Sequence, residues 1–123
     1  MNRVEKELLM TDCIFCRIAT GDLPANLAYE DEDVVAFHDL NPQAPTHILV
    51  IPRQHFSTLL DMDEDQTLLL GKLQRAAIEI ARQQGLDKEG FRVVTNCLES
   101  AGQSVFHLHV HLLGGRAFTW PPG

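Results

Sequence analysis

Three histidines separated by single apolar residues most strongly constrain how this chain can fold: His107-Leu108-His109-Val110-His111. Successive side chains of a β-strand point to opposite faces, so this spacing predicts a strand over residues 104–113. Its core-facing side chains are expected to be Phe106, Leu108, Val110 and Leu112. The other face carries Val105 and the three imidazoles, whose Cα atoms lie roughly 7 Å apart. Three groups that titrate near neutral pH then share one surface, which indicates chemistry or metal binding.

Composition limits what the chain can be. Its 123 residues suffice for one domain with a hydrophobic core. Ten basic residues against seventeen acidic ones give a net charge of −7, which argues against nucleic-acid or anionic-membrane partners. No apolar run approaches the roughly 20 residues that span a bilayer, and the first ten residues lack a signal-peptide core. Three cysteines, two of them a Cys-x-x-Cys pair, suit a reducing compartment, so we expect a cytoplasmic protein.

The remaining pattern predicts an α+β domain with an antiparallel sheet of about five strands. Apolar residues recur at helical spacing from Leu69 to Ala81, after a capping pair formed by Asp63 and Gln66 and before a stop at Gly85. We expect this long helix to pack on one face of the sheet. The other predicted elements are a short helix at 13–20 and strands at 27–30, 34–38, 47–51 and 91–96, with loops at 39–45 and 97–103.

Three interpretations of the histidine face follow from the residues alone. The imidazoles can be incidental, although strict alternation argues against it. They can form a three-histidine zinc site, but the strand offers no carboxylate to support such ligands. They can also perform nucleophilic catalysis at phosphorus, because neutral imidazole attacks well near pH 7. In that case His109 is the nucleophile, His111 and Ser104 assist the leaving group, and backbone N–H groups of residues 102–104 meet the phosphate.

The segment GQSVFHLHVHLLGGR, residues 102–116, resembles the signature of the histidine-triad (HIT) family without a gap. The segments AFHDLNPQAPTH at 36–47 and WPPG at 120–123 resemble its Hint branch, the purine nucleoside phosphoramidases. This resemblance implies a HIT-like fold over a single domain at 13–123, with 1–12 as an N-terminal extension. It also implies a homodimer in which the long helices pack together and strands 91–96 continue the sheet between subunits.

The same resemblance implies hydrolysis of adenosine 5′-phosphoramidate and related adenylates to AMP through a nucleotidyl-histidine, with no cofactor required. His109 would attack the α-phosphorus, and His47 and His107 would support the histidine network. Asp39 would accept the ribose hydroxyls, as a carboxylate can from both at once. The remaining implied substrate contacts are Asn96, Gly102, Gln103, Ser104 and His111 for the phosphate, and Phe15, Ile18, Leu23, Phe37, Leu40 and Leu49 for the purine.

A second site is implied by Cys13 and Cys16, which other histidine-triad proteins combine with two histidines to bind structural zinc. The matching histidines here are His47 and His107, and such a Cys₂His₂ set suits tetrahedral zinc. The two cysteines can instead be small buried residues at a helix start. His38 and His55 are assigned no site role and are expected at the surface or at an edge of the sheet. Cys97 is expected to be a loop thiol.

Alternative functions remain open from the sequence. A dinucleoside polyphosphate hydrolase of another histidine-triad branch would use the same nucleophile. A nucleotide-binding regulatory protein would keep the pocket with little turnover. A zinc-handling module would depend on its metal.

Overall fold

The computed structural model describes residues 12–123, and it contains a five-stranded antiparallel sheet with one helix on each face. In chain order the elements are α1 (Ile14–Thr20), β1 (Leu27–Glu30), β2 (Val34–His38), β3 (Thr46–Pro52), α2 (Thr67–Gln83), β4 (Phe91–Val94) and β5 (Val110–Gly114). The strand order across the sheet is β1-β2-β3-β5-β4. The predicted α+β architecture is confirmed. The predicted N-terminal extension, 1–12, lies outside the described residues except for Asp12.

Burial on both faces explains why β2 and β3 are almost continuously apolar rather than alternating. Val34 and Ala36 of β2 face α2 and join the larger core cluster, whereas Val35 and Phe37 face α1 and join the smaller one. On β3, Ile48 and Val50 belong to the α2 side, while Leu49 and Ile51 belong to the α1 side. The α1 side of the sheet is the side that carries the histidines.

The long helix begins and ends where the capping signals predict. Asp63 and Gln66 form a reciprocal capping box around a short 3₁₀ turn, and α2 follows directly. Gly85 lies just beyond the last turn with φ of +75°, a left-handed conformation that favours glycine. Of the described helices, none is long and apolar enough to cross a membrane.

The histidine strand is shorter than predicted. Regular pairing covers only Val110–Gly114, so His107 and His109 precede the strand. The residues before β5 are held by a neighbouring loop instead: the Leu108 N–H donates to the Phe56 carbonyl at 2.7 Å. Side-chain alternation nevertheless persists from residue 107 to 112, because Leu108, Val110 and Leu112 are all buried in the α2-side core. The placement of Phe106 in the core was wrong, since this side chain is 40% exposed.

Candidate active site

The histidines of this segment lie on the α1 side of the sheet, His111 on β5 and the other two just before this strand begins. His111 on β5 lies directly opposite Leu49 of β3 and Val94 of β4. The rings of His109 and His111 lie 4.9 Å apart between centroids. Phe15 of α1 contacts the His109 ring edge-to-face, with centroids 5.2 Å apart. His107 is fully buried and His109 is 7% exposed, so packing fixes both rings.

A backbone contact fixes which nitrogen of His109 carries the proton. Nδ1 lies 2.8 Å from the carbonyl oxygen of His107. A carbonyl only accepts, so Nδ1 is the protonated nitrogen and donates to it. In the neutral ring Nε2 therefore keeps its lone pair, which is the form of imidazole that attacks an electrophile.

A chain of three groups fixes the tautomer of His111. The backbone N–H of Gln43 donates to His47 Nδ1 at 3.0 Å, so in neutral His47 the proton is on Nε2. His47 Nε2 lies 2.9 Å from His111 Nδ1 and donates to it. His111 then carries its own proton on Nε2. This Nε2–H is available as a neutral donor beside the lone pair of His109.

Burial keeps His111 and His47 uncharged at neutral pH. It is the main reason why the pKa of His111 falls to about 4; the nearby His109 and His47 rings add to the fall, and the Asp39 carboxylate opposes it. Burial also lowers the pKa of His47, again against Asp39, whose Oδ2 lies 3.4 Å from His47 Nε2. Because both rings are neutral, His47 donates to His111 and the hydrogen bonds run in one direction.

The lowered pKa of His111 gives a direct prediction. In a histidine NMR titration its ring should stay neutral at pH 6 and take up a proton only near pH 4. Asp39→Asn should lower this pKa further, because the opposing negative charge is lost while an acceptor for the Asn41 N–H remains. The matched control is Asp61→Asn, whose carboxylate acts on His55 instead. A His111 pKa near 6.5, or no change in Asp39→Asn, would contradict this account.

The same shift sets the direction of the stability change. An unfolded histidine takes up its proton near pH 6.5, whereas folded His111 does so only near pH 4. The contribution of His111 to stability is therefore complete above pH 6.5 and is lost as the pH falls towards 4.

The loop before the histidines is held mainly by Gln103. Its side-chain amide donates to the carbonyls of Ser57 at 2.7 Å and Val105 at 3.1 Å, and accepts from the Leu98 N–H. Both amide protons are thus already used, so this side chain orders the loop and has none to donate to a phosphate. The N–H groups of Gly102 and Gln103 are likewise bonded, to the Glu99 and Leu98 carbonyls. Of residues 102–104, the exposed Ser104 is the one left to meet a ligand.

The other predicted substrate contacts are distributed unevenly. Asn96 follows the end of β4, and its amide lies 3.6 Å from where a Cβ on Gly102 would stand. Asp39 is partly exposed at the edge of the site, and its Oδ1 also accepts the Asn41 N–H. Of the predicted purine wall, the residues that pack together on the α1 side are Phe15, Ile18, Phe37 and Leu49. Leu23 is half-buried, whereas Leu40 is fully exposed and walls nothing within the described chain.

A second cluster lies beside the first, and it corrects one predicted ligand. The side chains of Cys13, Cys16, His55 and His107 place four ligand atoms within 4.8 Å of one another. His47, predicted as the third ligand, instead bonds to His111. His55 was expected to have no site role, but its Nδ1 lies 3.3 Å from the Cys16 Sγ.

The chemistry of this cluster fits zinc. Sγ–Nδ1 distances of 3.3 and 3.4 Å join His107 to Cys13 and Cys16. These are close to the edge of a tetrahedron built on zinc–ligand bonds, about 3.5 Å. His107 Nε2–H donates to the Pro52 carbonyl at 2.8 Å, which leaves the Nδ1 lone pair facing the thiols. Burial, with Cys13, raises the pKa of the Cys16 thiol to about 12, so binding would release a proton.

Asp39, His47 and His111 form a second group with metal-ligand chemistry. Both nitrogens of His47 are already engaged, by the Gln43 N–H and by His111. A metal here would have to displace these bonds, so we treat the group as a hydrogen-bonded relay.

The fold and the histidine face define a small α+β domain with an imidazole-based site on the α1 side of β3 and β5. The HIT domain matches residues 20–118, and the chain belongs to this family. It is 49% identical over 112 residues to an uncharacterised HIT-like protein of Synechococcus elongatus, covering 91% of this chain and 97% of that one. It is also 49% identical to a 14 kDa zinc-binding protein of Zea mays, covering 89% and 87%.

Solved structures agree with this assignment. A HIT family hydrolase of Legionella pneumophila superposes with a TM-score of 0.89 at 46% identity, covering 91% of this chain and all of that one. A histidine triad nucleotide-binding protein of Candida albicans has a TM-score of 0.77 at 29% identity, covering 89% and 83%.

Proposed function

We propose that this protein is a Hint-branch nucleotide phosphoramidate hydrolase, which converts adenosine 5′-phosphoramidate and related adenylates to AMP. The observation that carries the proposal is the pairing of opposite tautomers. His109 keeps a lone pair on Nε2 because its Nδ1–H donates to the His107 carbonyl. His111 carries a proton on Nε2 because its Nδ1 accepts from His47. A nucleophile next to a neutral donor is what attack on a phosphate ester or amide requires.

The first half-reaction transfers the nucleotide to the protein. His109 Nε2 attacks the α-phosphorus, a phosphorus–nitrogen bond forms, and the bond to the substrate amine breaks. The amine leaves with its electron pair and gains a proton from solvent, which the Ser104 hydroxyl helps relay. His111 Nε2–H donates to a phosphate oxygen and stabilises the charge that develops there.

The second half-reaction releases the product. Water attacks the same phosphorus, its hydroxyl stays on phosphorus, its second proton leaves to solvent, and the bond to His109 breaks. AMP is released and His109 returns to its neutral form with the proton on Nδ1. The resulting net reaction is hydrolysis of one phosphorus–nitrogen bond without a redox change.

Nucleotide binding is proposed on the α1 side of the sheet. Phe15, Phe37 and Leu49 pack together beside His109 and would form the apolar floor under the purine. Asp39 Oδ2, at the partly exposed edge, would accept ribose hydroxyls. The Candida albicans relative, whose description includes nucleotide binding, supports this part.

Zinc is proposed as a structural group held by Cys13, Cys16, His55 and His107. When bound, it would link α1 to the residues that precede β5, and no step of the hydrolysis passes through it. The zinc-binding description of the Zea mays relative supports this assignment. The three cysteines are free thiols in the structure, which fits a reducing compartment such as the cytoplasm.

A homodimer is also proposed, in which β4 continues the sheet into a second copy. β4 is an edge strand of the sheet, and Phe91 at its start is 37% exposed. An edge strand with unpaired backbone groups favours pairing with another strand.

Comparison of two substrate classes tests the proposed reaction. The protein should release AMP from adenosine 5′-phosphoramidate at least about tenfold more efficiently than from a diadenosine polyphosphate, measured as kcat/KM. After rapid quenching in denaturant, a labelled adenylate should remain attached to His109. Preference for the polyphosphate would favour the other hydrolase class. Tight AMP binding without turnover of either substrate would favour a nucleotide-binding regulator.

A further inference from the structure

The turn that follows β5 packs closely on the loop at residues 39–45. Gly115 has φ of +90°, and a Cβ at this position would lie 2.8 Å from the Pro45 Cβ. Only glycine combines this backbone conformation with such a close approach. The C-terminal end of the histidine strand is therefore joined directly to the loop that precedes His47.

Arg116 is the polar part of this contact. Its Nε donates to the Gln43 carbonyl at 3.1 Å, and one terminal nitrogen donates to the Ala117 carbonyl at 3.0 Å. Its guanidinium also lies over the Phe118 ring, 4.3 Å from the centroid. Arg92 lies over the same ring at 5.1 Å, but its bond goes to the Thr119 carbonyl and not to the loop. Of the two arginines, Arg116 is the one bonded to Gln43.

Gln43 connects this contact to the active site. Its backbone N–H donates to His47 Nδ1, and that bond determines the proton position on both His47 and His111. Without it, His47 could carry its proton on Nδ1 and accept at Nε2 from His111 Nδ1–H. His111 would then present a lone pair, rather than a proton, to a phosphate oxygen. Such a lone pair repels the negative oxygen that a donor would stabilise.

We infer that Arg116, through the backbone of Gln43, is a positioning residue that sets the tautomers of His47 and His111. It contacts no substrate itself. The Asp39 carboxylate, 3.4 Å from His47 Nε2, favours the same tautomer, so loss of Arg116 alone should loosen the arrangement rather than reverse it. The catalytic consequence rests on the proposed function, whereas the tautomers can be measured without any substrate.

A pair of Gln43 variants tests the connection at its centre. Gln43→Pro removes the N–H, because proline has none, and Gln43→Ala keeps it. ¹⁵N chemical shifts of the imidazoles distinguish protonated from unprotonated nitrogens. In Gln43→Ala the shifts should match wild type, with His47 protonated on Nε2. In Gln43→Pro they should move towards a tautomer mixture at both rings. The kcat should fall with the fraction of molecules whose His111 lacks the Nε2 proton, by up to roughly a hundredfold, the lower end of the effect of losing one oxyanion donor.

Arg116 is tested against Arg92, which stacks on the same ring. Arg116→Gln should shift the His47 and His111 tautomers partway and lower kcat by up to about twofold, because only the molecules in the other tautomer lose the donor, while KM changes little. Arg92→Gln should leave the tautomers and kcat at wild-type values. Arg116→Lys should restore little, since an ammonium lacks the planar fork that bonds two carbonyls.

Unchanged tautomers in folded Arg116→Gln would overturn the inference, whatever happens to activity. So would equal effects of Arg92→Gln, because these would indicate general loosening of the C-terminal segment. If wild type shows the predicted tautomers and their dependence on Arg116 but no phosphoramidate turnover, the inference stands and the proposed function fails.

Discussion

His109→Ala should abolish AMP release from adenosine 5′-phosphoramidate, with kcat reduced by about 10⁴-fold or more, as expected when a covalent nucleophile is removed. His109 is buried with a fixed tautomer and keeps its Nε2 lone pair. His107 is also buried with a fixed tautomer, but its Nδ1 lone pair faces the thiols of Cys13 and Cys16. His111 cannot substitute, because its Nε2 carries the proton and its Nδ1 accepts from His47. Quenched-flow measurement with a labelled adenylate should show no protein-bound nucleotide in this variant.

His109→Asn should behave in the same way, since an amide nitrogen is not nucleophilic. Affinity for AMP should change by less than about tenfold in both variants, because His109 is assigned to chemistry rather than to binding. His38→Ala is the matched control: this histidine ends β2 opposite Ile48, which belongs to the α2-side core, so it should retain full turnover. Residual turnover above about a tenth of wild type in His109→Ala would exclude His109 as the nucleophile.

The alternating pattern of residues 107–112 was sufficient to predict one core-facing and one reactive side of this segment. It was not sufficient to predict where pairing begins. Leu108, Val110 and Leu112 keep to the core side even though regular pairing starts only at Val110, and residues before it bond to a loop instead of a strand. Phe106 lies within that loop-bonded part, where its side chain is not constrained by the sheet, and its predicted burial failed there.

The two clusters show why the ligand set could not be assigned by sequence alone. His47 belongs to regular β3, whose pairing with β5 brings it beside His111. His55 follows Pro52 in an irregular segment, and nothing in the local sequence pattern predicts that this segment brings His55 into contact with Cys16. Backbone hydrogen bonds, such as that from Leu108 to Phe56, decide the path of the segment.

Loop residues were the least predictable part of the site. The family resemblance implied that Gln103 meets the phosphate, but two carbonyls of the folded loop take both of its amide donors. The resemblance also implied that Leu40 lines the purine pocket, and in the folded loop its side chain is fully exposed rather than packed with the other apolar residues of that set. The Gln43 N–H is invisible as a site feature in sequence, because every residue except proline has one.

Cys16→Ser is expected to lose bound zinc and much thermal stability while the reaction itself persists. Wild type purified without added metal should contain about one zinc per chain, and the variant well below that, measured by atomic emission. Zinc present at a thousand times its Kd stabilises the native state by about 4 kcal/mol. For a chain of this size that corresponds to a fall in Tm of roughly 15 °C when the metal is lost. Cys97→Ser, in which a thiol outside the cluster is changed, should match wild type in both zinc content and Tm.

His55→Ala separates a structural metal from a catalytic one. It removes a proposed ligand that makes no contact with His109 or His111, so it should reproduce the loss of zinc and Tm. The tautomer of His109 depends on the backbone carbonyl of His107 and not on the His107 ring, and it should therefore survive. At a temperature well below the lowered Tm, kcat should stay within about tenfold of wild type, since no general acid, base or nucleophile has been removed. Activity that falls in proportion to zinc content would show that the metal takes part in the reaction, because the stability effect alone is absent at that temperature.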